Sequence, residues 1–431
     1  MNSRFASTAV DQTPADYSST VWLNKPLPSP QHRTVPLFTA SRLYVRERDT
    51  HLEAFSALSD PRSGAAVRYT LQEIIIMTIC AVLCGADTWV DVADWCEDEE
   101  SWLKTFLPLP HGTPAHDTFG DVFRVLDATV FERCFREWIA SVVGVAGGVI
   151  AFDGKTLRGS KDGANTAVHM VSAYATTLGL SLGQEGSAGK GKELVAIRTL
   201  LETLVLKGCI VTMDALGCQR DIAERIVKQG GDYVLAVKNN QKHLSEAVVE
   251  FFDTAETLDF RNIAVQTCVC SEKGHGRRET RRAFFVPDIS WMDKPMREGW
   301  KKLSGVGMIE SEQEIKGKVS LDRRYFIVSA GVSTVAQFAH AVRAHWGVEA
   351  MHWVLDVTFR EDDCRVRKGH GAKNFSVVRK FALSSLRTDA RYPAHSLRRR
   401  RKLADRQPDY RAEILGIKTK GHSQGNTMTP A

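Results

Sequence analysis

Apolar positions along the chain change their period twice, and the changes divide it into regions. Over residues 52–141 they recur at the three- and four-residue spacing of helices. Within that stretch Thr70 stands three residues before Glu73, just ahead of the apolar run 74–86, which predicts a helix opened by a capping box. Residues 117–127 and 131–142 predict two more amphipathic helices. Beyond Gly147 the period shortens. Val149 to Phe152 predicts a strand running into a turn at Asp153-Gly154, and residues 168–177 and 178–185 predict a hairpin about Gly179. A helix over 193–206, the strand Cys209 to Met213 ending at Asp214, a helix over 221–229 and a strand over 233–238 follow. Strands first, then strands alternating with helices, define an α/β fold on a sheet of mixed direction. Residues 261–331 are strand-rich and basic, and helical period resumes at Val335 and continues past Asp356.

The 431 residues exceed what one core usually fills, and 43% hydrophobic with 25% charged residues is the balance of a folded protein. Residues 1–45, rich in Ser, Thr, Pro and Gln and without period, read as a flexible arm. No basic segment followed by an apolar core opens the chain, and the run 74–86 is too short to cross a bilayer, so a soluble, cytoplasmic protein is expected. Nine cysteines without a CxxC pair argue against zinc and disulfide frameworks and predict buried thiols. The net charge of +6 permits nucleic-acid binding without requiring it.

Chemistry enters with three acids. Asp153 and Asp214 each stand where an apolar strand leaves the core, a place where the backbone is rigid and the side chain exposed. With the two strands side by side and their carboxyl ends level, the carboxylates converge into an all-oxygen site of the kind magnesium prefers. Either aspartate by itself also reads as a turn or helix cap. The helical run after Val335 carries Glu349, with Trp353 and Asp356 at i+4 and i+7, and His345 and Trp346 at i−4 and i−3, on one side. That side is expected to be mostly buried, and a buried glutamate among aromatics needs a metal or a partner such as Arg343 or Arg365. Glu361, Asp362 and Asp363 are rival third acids in a charged, loop-like segment.

Four ordered segments carry a resemblance: Ile150-Ala-Phe-Asp153-Gly-Lys155-Thr-Leu-Arg158-Gly-Ser160, Asp214-Ala-Leu-Gly-Cys-Gln219, Asp232-Tyr-Val-Leu-Ala-Val-Lys238-Asn-Asn-Gln241 and Arg343-Ala-His345-Trp-Gly-Val-Glu349. Together they resemble the ISAs1-family transposases, the H-repeat-associated branch of the IS4-like DDE transposases. The run from His352 to Arg367, then Asn374, and the region from Asp60 to Phe119 match as well, so the resemblance covers about residues 45–415. It implies an RNase H-like catalytic core, placed over residues 142–390, with a β-rich insertion at about 261–331. It implies that Asp153, Asp214 and Glu349 form a DDE triad holding two Mg2+ (or Mn2+) ions. The wider family often places Tyr, Arg and Lys at fixed offsets from the Glu; here those offsets hold Val342, His345 and Asp356.

The implied reaction is cleavage at the ends of an insertion element, with water attacking first, followed by transfer of the freed 3′-hydroxyl into target DNA. The implied partners are double-stranded DNA, both terminal inverted repeats and target, and a second copy of the chain assembled on it. Candidate DNA contacts are Lys155, Arg158, Lys238, Lys242, Arg277, Arg278, Arg343, His345, Arg365 and Arg367. The helical region, taken as a separate domain over 46–141, would serve DNA binding or assembly, with Trp89, Trp95 and Trp102 in its core. Residues 391–431 read as a basic tail, with Arg398 to Lys402 on a tail or a helix face. Two other readings stay open: a nuclease of the same fold that cuts without joining, and a DNA-binding relic that no longer cuts.

Overall fold

The computed structural model describes residues 54–417 except 57, 65, 66, 145, 146, 164, 165, 275, 276 and 316. The arm expected over 1–45 therefore lies outside the described residues. The helical period of the first region becomes α1 (Leu71–Cys84), α2 (Trp89–Asp98), α3 (Glu100–Leu103), α4 (His116–Val125) and α5 (Ala128–Val143). The capping box forms as its spacing predicts: the Glu73 amide donates to the Thr70 hydroxyl at 3.2 Å, and the Thr70 amide donates to the Glu73 carboxylate at 2.8 Å. The second Glu73 oxygen accepts the Leu109 amide at 3.1 Å, so this buried carboxylate is satisfied. Trp89 packs on Phe123 and Phe375 at ring distances of 5.0 and 4.5 Å, and Trp95 meets Trp102 edge to face at 6.3 Å. These tryptophans line the core, as expected.

The chain then lays down β1 (Gly148–Thr156), β2 (His169–Ala175), β3 (Leu180–Ser187), α6 (Leu194–Glu202), β4 (Cys209–Met213), α7 (Arg220–Lys228), β5 (Asp232–Val237) and α8 (Lys242–Thr257). Next come β6 (Gln266–Gly274), β7 (Arg277–Val286), α9 (Lys294–Glu298), β8 (Leu303–Ile315) and β9 (Lys318–Ser329), and then α10 (Val335–Thr358), α11 (Gly371–Thr388), α12 (Leu397–Arg406) and α13 (Pro408–Leu415). The nine strands form one sheet in the order β3-β2-β1-β4-β5-β9-β8-β7-β6. β1 to β3 are antiparallel, and β4 and β5 run parallel to β1. That five-stranded half is the RNase H-like arrangement. The β-rich insertion extends the same sheet, since β9 pairs with β5.

Strand alternation sorts the side chains between two layers. Ile150 and Phe152 of β1 and Val211 and Met213 of β4 pack with Leu200, Ile222 and Phe252 of α6, α7 and α8. Val149 and Ala151 face the other way, toward the cores that include α10. Asp153 and Lys155 continue that second series.

Two expectations are corrected. α1 to α5 do not close a core of their own but share one with α10 to α13. The basic run Arg398 to Lys402 lies on α12, where Arg400 and Arg401 are buried. Arg401 donates to the Val82 and Ala86 carbonyls at 3.0 and 3.1 Å, and Arg400 to the Leu386 carbonyl at 2.8 Å. Carbonyls at a helix C-terminus lack partners within the helix. Buried guanidinium groups supply them at the ends of α1 and α11. None of the nine cysteines, all of them described, forms a disulfide, and six are buried.

Candidate active site

β1 and β4 run parallel with Phe152 opposite Met213, so Asp153 and Asp214 follow at level positions on adjacent strands. β4 ends there. β1 continues to Thr156, paired with β2 from Asp153 opposite Ser172 to Thr156 opposite His169, and the turn expected at Asp153-Gly154 is absent. Gly154 serves a close approach instead: a Cβ there would stand 2.6 Å from Nε2 of His169, which pairs with Glu193 at 2.9 Å. Asp214 also caps the turn that follows it, accepting the Leu216 and Gly217 amides at 3.1 and 3.4 Å.

α10 lies across β1 and β4. His345 shares a 3.0 Å hydrogen bond with the Thr212 hydroxyl of β4, and His352 Nδ1 stands 3.3 Å from Asp153 Oδ2. Glu349 lies between these two contacts. Lost solvation, then the charge of Asp153, push the Glu349 carboxyl above its ordinary pKa. Lost solvation first, and Asp153 again, also raise Asp214. Burial lowers the pKa of His345 against the opposing pull of Asp153 and Asp214. Asp153 is thus the electrostatic centre of the group.

The exposed side of α10 differs from the expectation. Val348, Met351, His352 and Leu355 are buried, whereas Glu349 faces solvent with Trp346 (39% exposed) and Trp353 (62%). Apolar residues ring this helix, so their period alone could not say which side the sheet covers. Arg324 of β9 was not anticipated. Its guanidinium sits 5.3 Å from the Trp346 ring and opposes the rise at Glu349. Only the sheet order brings that strand near.

Lys155 departs most from its expected role. Its Nζ lies 2.6 Å from Asp356, 3.1 Å from Glu361 and 3.0 Å from Asp362, and its side chain is 10% exposed. Burial opposes its charge, but the three acids prevail and hold its pKa above the ordinary lysine value. It is an internal strut between β1 and α10, so it is not positioned to reach DNA. The same contacts remove Glu361 and Asp362 as rival acids, because their charge is already matched. The spacing is regular: Asp153 meets His352 and Lys155 meets Asp356, two residues on a strand against four on a helix. Those steps are about 6.6 and 6.0 Å long, so the two contacts set the register of α10 on β1.

The remaining basic candidates divide. Arg158 (82% exposed), Lys238, Lys242, Arg365 and Arg367 lie on the surface. Arg343 is 3.4 Å from Glu272. Arg278 is exposed on β7, opposite Glu314 of β8; the side chain of Arg277 lies outside the described residues. Further along that run, Arg282 bridges Glu310 and Glu312 at 3.1 and 3.0 Å, so part of the basic cluster is neutralised within the sheet.

Asp153, Asp214 and Glu349 offer oxygen donors alone, the set a hard divalent cation takes, and the charge of Asp153 helps raise the pKa of Asp214 and of Glu349. By donor chemistry they fit such an ion. Among the described residues, no three His, Cys, Asp or Glu side chains are gathered closely enough to hold a metal. No single helix among the described residues is long and apolar enough to cross a membrane.

Comparison with known proteins bears on this arrangement. The model of the transposase DDE domain matches residues 119–385, and that of the DDE_Tnp_1-associated region matches residues 52–139. The chain is 38% identical over 377 residues to "H repeat-associated putative transposase YhhI" of Escherichia coli (strain K12), covering 84% of this chain and 97% of the relative. It is 36% identical to "Putative transposase YncI" of Escherichia coli O157:H7, covering 84% and 94%. Among solved structures, a piggyBac transposase synaptic complex with hairpin DNA aligns over 88% of this chain and 83% of that one, with a TM-score of 0.40 and 12% identity. The family model that covers more than half of the chain is that of a transposase DDE domain. The chain belongs to the IS4-like DDE transposase family.

Proposed function

We propose that this protein is an active transposase of the ISAs1 branch, with Asp153, Asp214 and Glu349 as its catalytic carboxylates. The carrying observation is that Asp153 and Asp214 stand level on adjacent parallel strands, under the helix that bears Glu349, with Asp153 perturbing both partners. The three acids would hold two magnesium or manganese ions. When bound, such ions activate the attacking oxygen and stabilise the leaving one in a phosphodiester displacement.

The protein's own groups do the positioning. His345 ties α10 to β4 through Thr212, and His352 orients the Asp153 carboxylate. Lys155 fixes the helix register. Arg158, Lys238, Lys242, Arg278, Arg365 and Arg367 contact DNA phosphates, with Arg277 and Arg343 beside them, while His345 is turned inward to Thr212. Water attacks at each element end first; the freed 3′-hydroxyl then attacks target DNA in the same site. The substrates are the terminal inverted repeats and target DNA, bound by two or more copies of the chain at the nucleoid.

The test uses purified protein, magnesium and DNA carrying the element's ends. Cleavage followed by end joining is expected, and Asp153→Asn or Asp214→Asn abolishes both while DNA binding survives. Cleavage without joining would make the protein a nuclease of this fold. Binding with no metal-dependent cleavage would make it a relic.

A further inference from the structure

Behind the carboxylates lies a second buried cation. Lys380 of α11 is 2% exposed, and its ammonium donates to the Ser172 hydroxyl at 2.8 Å and to the side-chain oxygen of Gln184. Ser172 of β2 stands opposite both Asp153 of β1 and Gln184 of β3, so the three residues form one row across the sheet. Cross-strand partners share a face, and Ser172 is one strand spacing, about 4.8 Å, from Asp153. The Gln184 oxygen also lies 3.2 Å from the Ser376 hydroxyl, which stands 2.9 Å from Glu361. Glu361 pairs with Lys155 at 3.1 Å, and Lys155 with Asp356 of α10 at 2.6 Å. Two arms therefore leave Lys380. One joins the row that ends in Asp153, and the other ends on α10, about two turns beyond Glu349.

The fold does not need this charge. Burial pulls the Lys380 pKa down to about 8, against Glu361 on the loop after α10 and Glu132 on α5, and Lys155 on β1 adds to the fall. An ordinary lysine titrates at 10.5. Below pH 8 the folded state thus carries the charge at a cost to stability, and the cost lifts only as pH rises from 8 towards 10.5. Neither acid depends on Lys380: Glu361 keeps Lys155, and Glu132 keeps Arg136 at 3.1 Å. An apolar side chain of similar length would orphan no charge. A buried cation kept against its own desolvation, beside a candidate catalytic row, points to a part in the chemistry.

We infer that Lys380 is a positioning residue: with Ser172, Gln184 and Ser376 it holds β1 and α10 in the relation that presents Asp153 and Glu349 to the same phosphate. The inference rests on the proposed transposase reading. Lys380 touches no substrate; it acts through the two arms.

The experiment compares full-length parent, Lys380→Met and Ser172→Ala in steady-state cleavage of DNA carrying the element's ends, with urea denaturation and amide hydrogen exchange alongside. Lys380→Met is expected to unfold at the parental midpoint or above it and to keep the KM for DNA. Its turnover is expected to fall on the order of 10²-fold, the size of loss that a small misplacement of reacting groups causes. Loss of turnover without loss of binding marks a disturbed arrangement rather than a lost contact. Ser172→Ala leaves the charge in place and is expected to lower turnover by less. The double variant should be no worse than Lys380→Met, because the two residues act as one unit. Amides of 149–156 and 345–356 should exchange faster in Lys380→Met, while those of α1 keep the parental rate. Parental turnover in a folded Lys380→Met overturns the inference, and so does lost turnover matched by early unfolding and faster exchange throughout. If the parent never cleaves DNA, exchange decides alone. Faster exchange confined to the two segments keeps the positioning role while the catalytic reading falls, and unchanged exchange removes both. If the parent and Lys380→Met cleave alike, only the positioning role is lost.

Discussion

Charge is handled in opposite ways in the helical body and at the strand ends. In the helical body the deeply placed arginines among the described residues each find a partner, an acid, a backbone carbonyl or a ring face. Arg411, fully buried, pairs with Glu99 at 2.6 Å and lies 3.9 Å over the Trp102 ring. Arg401 caps α1 and pairs with Asp87 at 3.0 Å. Arg379 sits 4.1 Å over Phe375. At the ends of β1 and β4, by contrast, the charge of Asp153 bears on both Asp214 and Glu349, and the nearest lysine is turned away to three other acids. Matched charge holds a fold together, whereas crowded charge of one sign costs stability and is retained where chemistry needs it. The basic residues divide along the same line: Lys155, Arg400 and Arg401 are structural, whereas Arg158, Arg365 and Arg367 lie on the surface.

This contrast makes predictions of decreasing size. Asp153→Asn should abolish metal-dependent strand cleavage with the unfolding midpoint unchanged or raised, since it relieves repulsion on Asp214 and Glu349. Parallel gel cleavage and urea denaturation check this, and a variant that unfolds early without losing activity would break the contrast. Arg411→Met should cost about 3–5 kcal/mol, because Glu99 is left without its buried partner. Lys155→Met belongs to the same range and carries a signature: its deficit should shrink as pH falls and Asp356 and Glu361 take up protons. If Lys155 were a DNA contact, the substitution would weaken binding and leave stability alone.

Glu132 gives a smaller and pH-dependent effect. Burial raises its pKa to about 7, against the pull of Arg136 at 3.1 Å and the Gln184 amide at 2.9 Å. Unfolded, it titrates at about 4.5, so between those values the folded state holds more proton. Its contribution is therefore complete below pH 4.5 and is lost as pH rises through 7, amounting to about 3 kcal/mol. Unfolding free energies across that window should fall with pH in the parent and lie flatter in Glu132→Gln. Arg343→Ala should be nearly silent, below about 0.5 kcal/mol in a double-mutant cycle with Glu272, because that pair is half exposed.

Much of this molecule was written in local pattern. The capping box at Thr70 and Glu73 needs only its own residues. Apolar strands ending at Asp153 and Asp214 stand out because a strand that enters the core must be apolar until it leaves. The spacing of Trp346, Glu349 and Trp353 was available too, since a helix repeats on one face every three to four residues.

What the pattern could not supply is partner and direction. Apolar residues all around α10 concealed that Glu349, Trp346 and Trp353 share the open side. A basic run reads the same on a solvated tail as on α12, where the carbonyl ends of α1 and α11 take up Arg401 and Arg400. Lys155 looks like any lysine beside a candidate catalytic aspartate until Asp356, Glu361 and Asp362, some two hundred residues later, fold against it. Local sequence determines periodicity and caps because those arise from neighbours along the chain. The destination of a long charged side chain is decided by whichever distant groups the fold brings within a few ångströms.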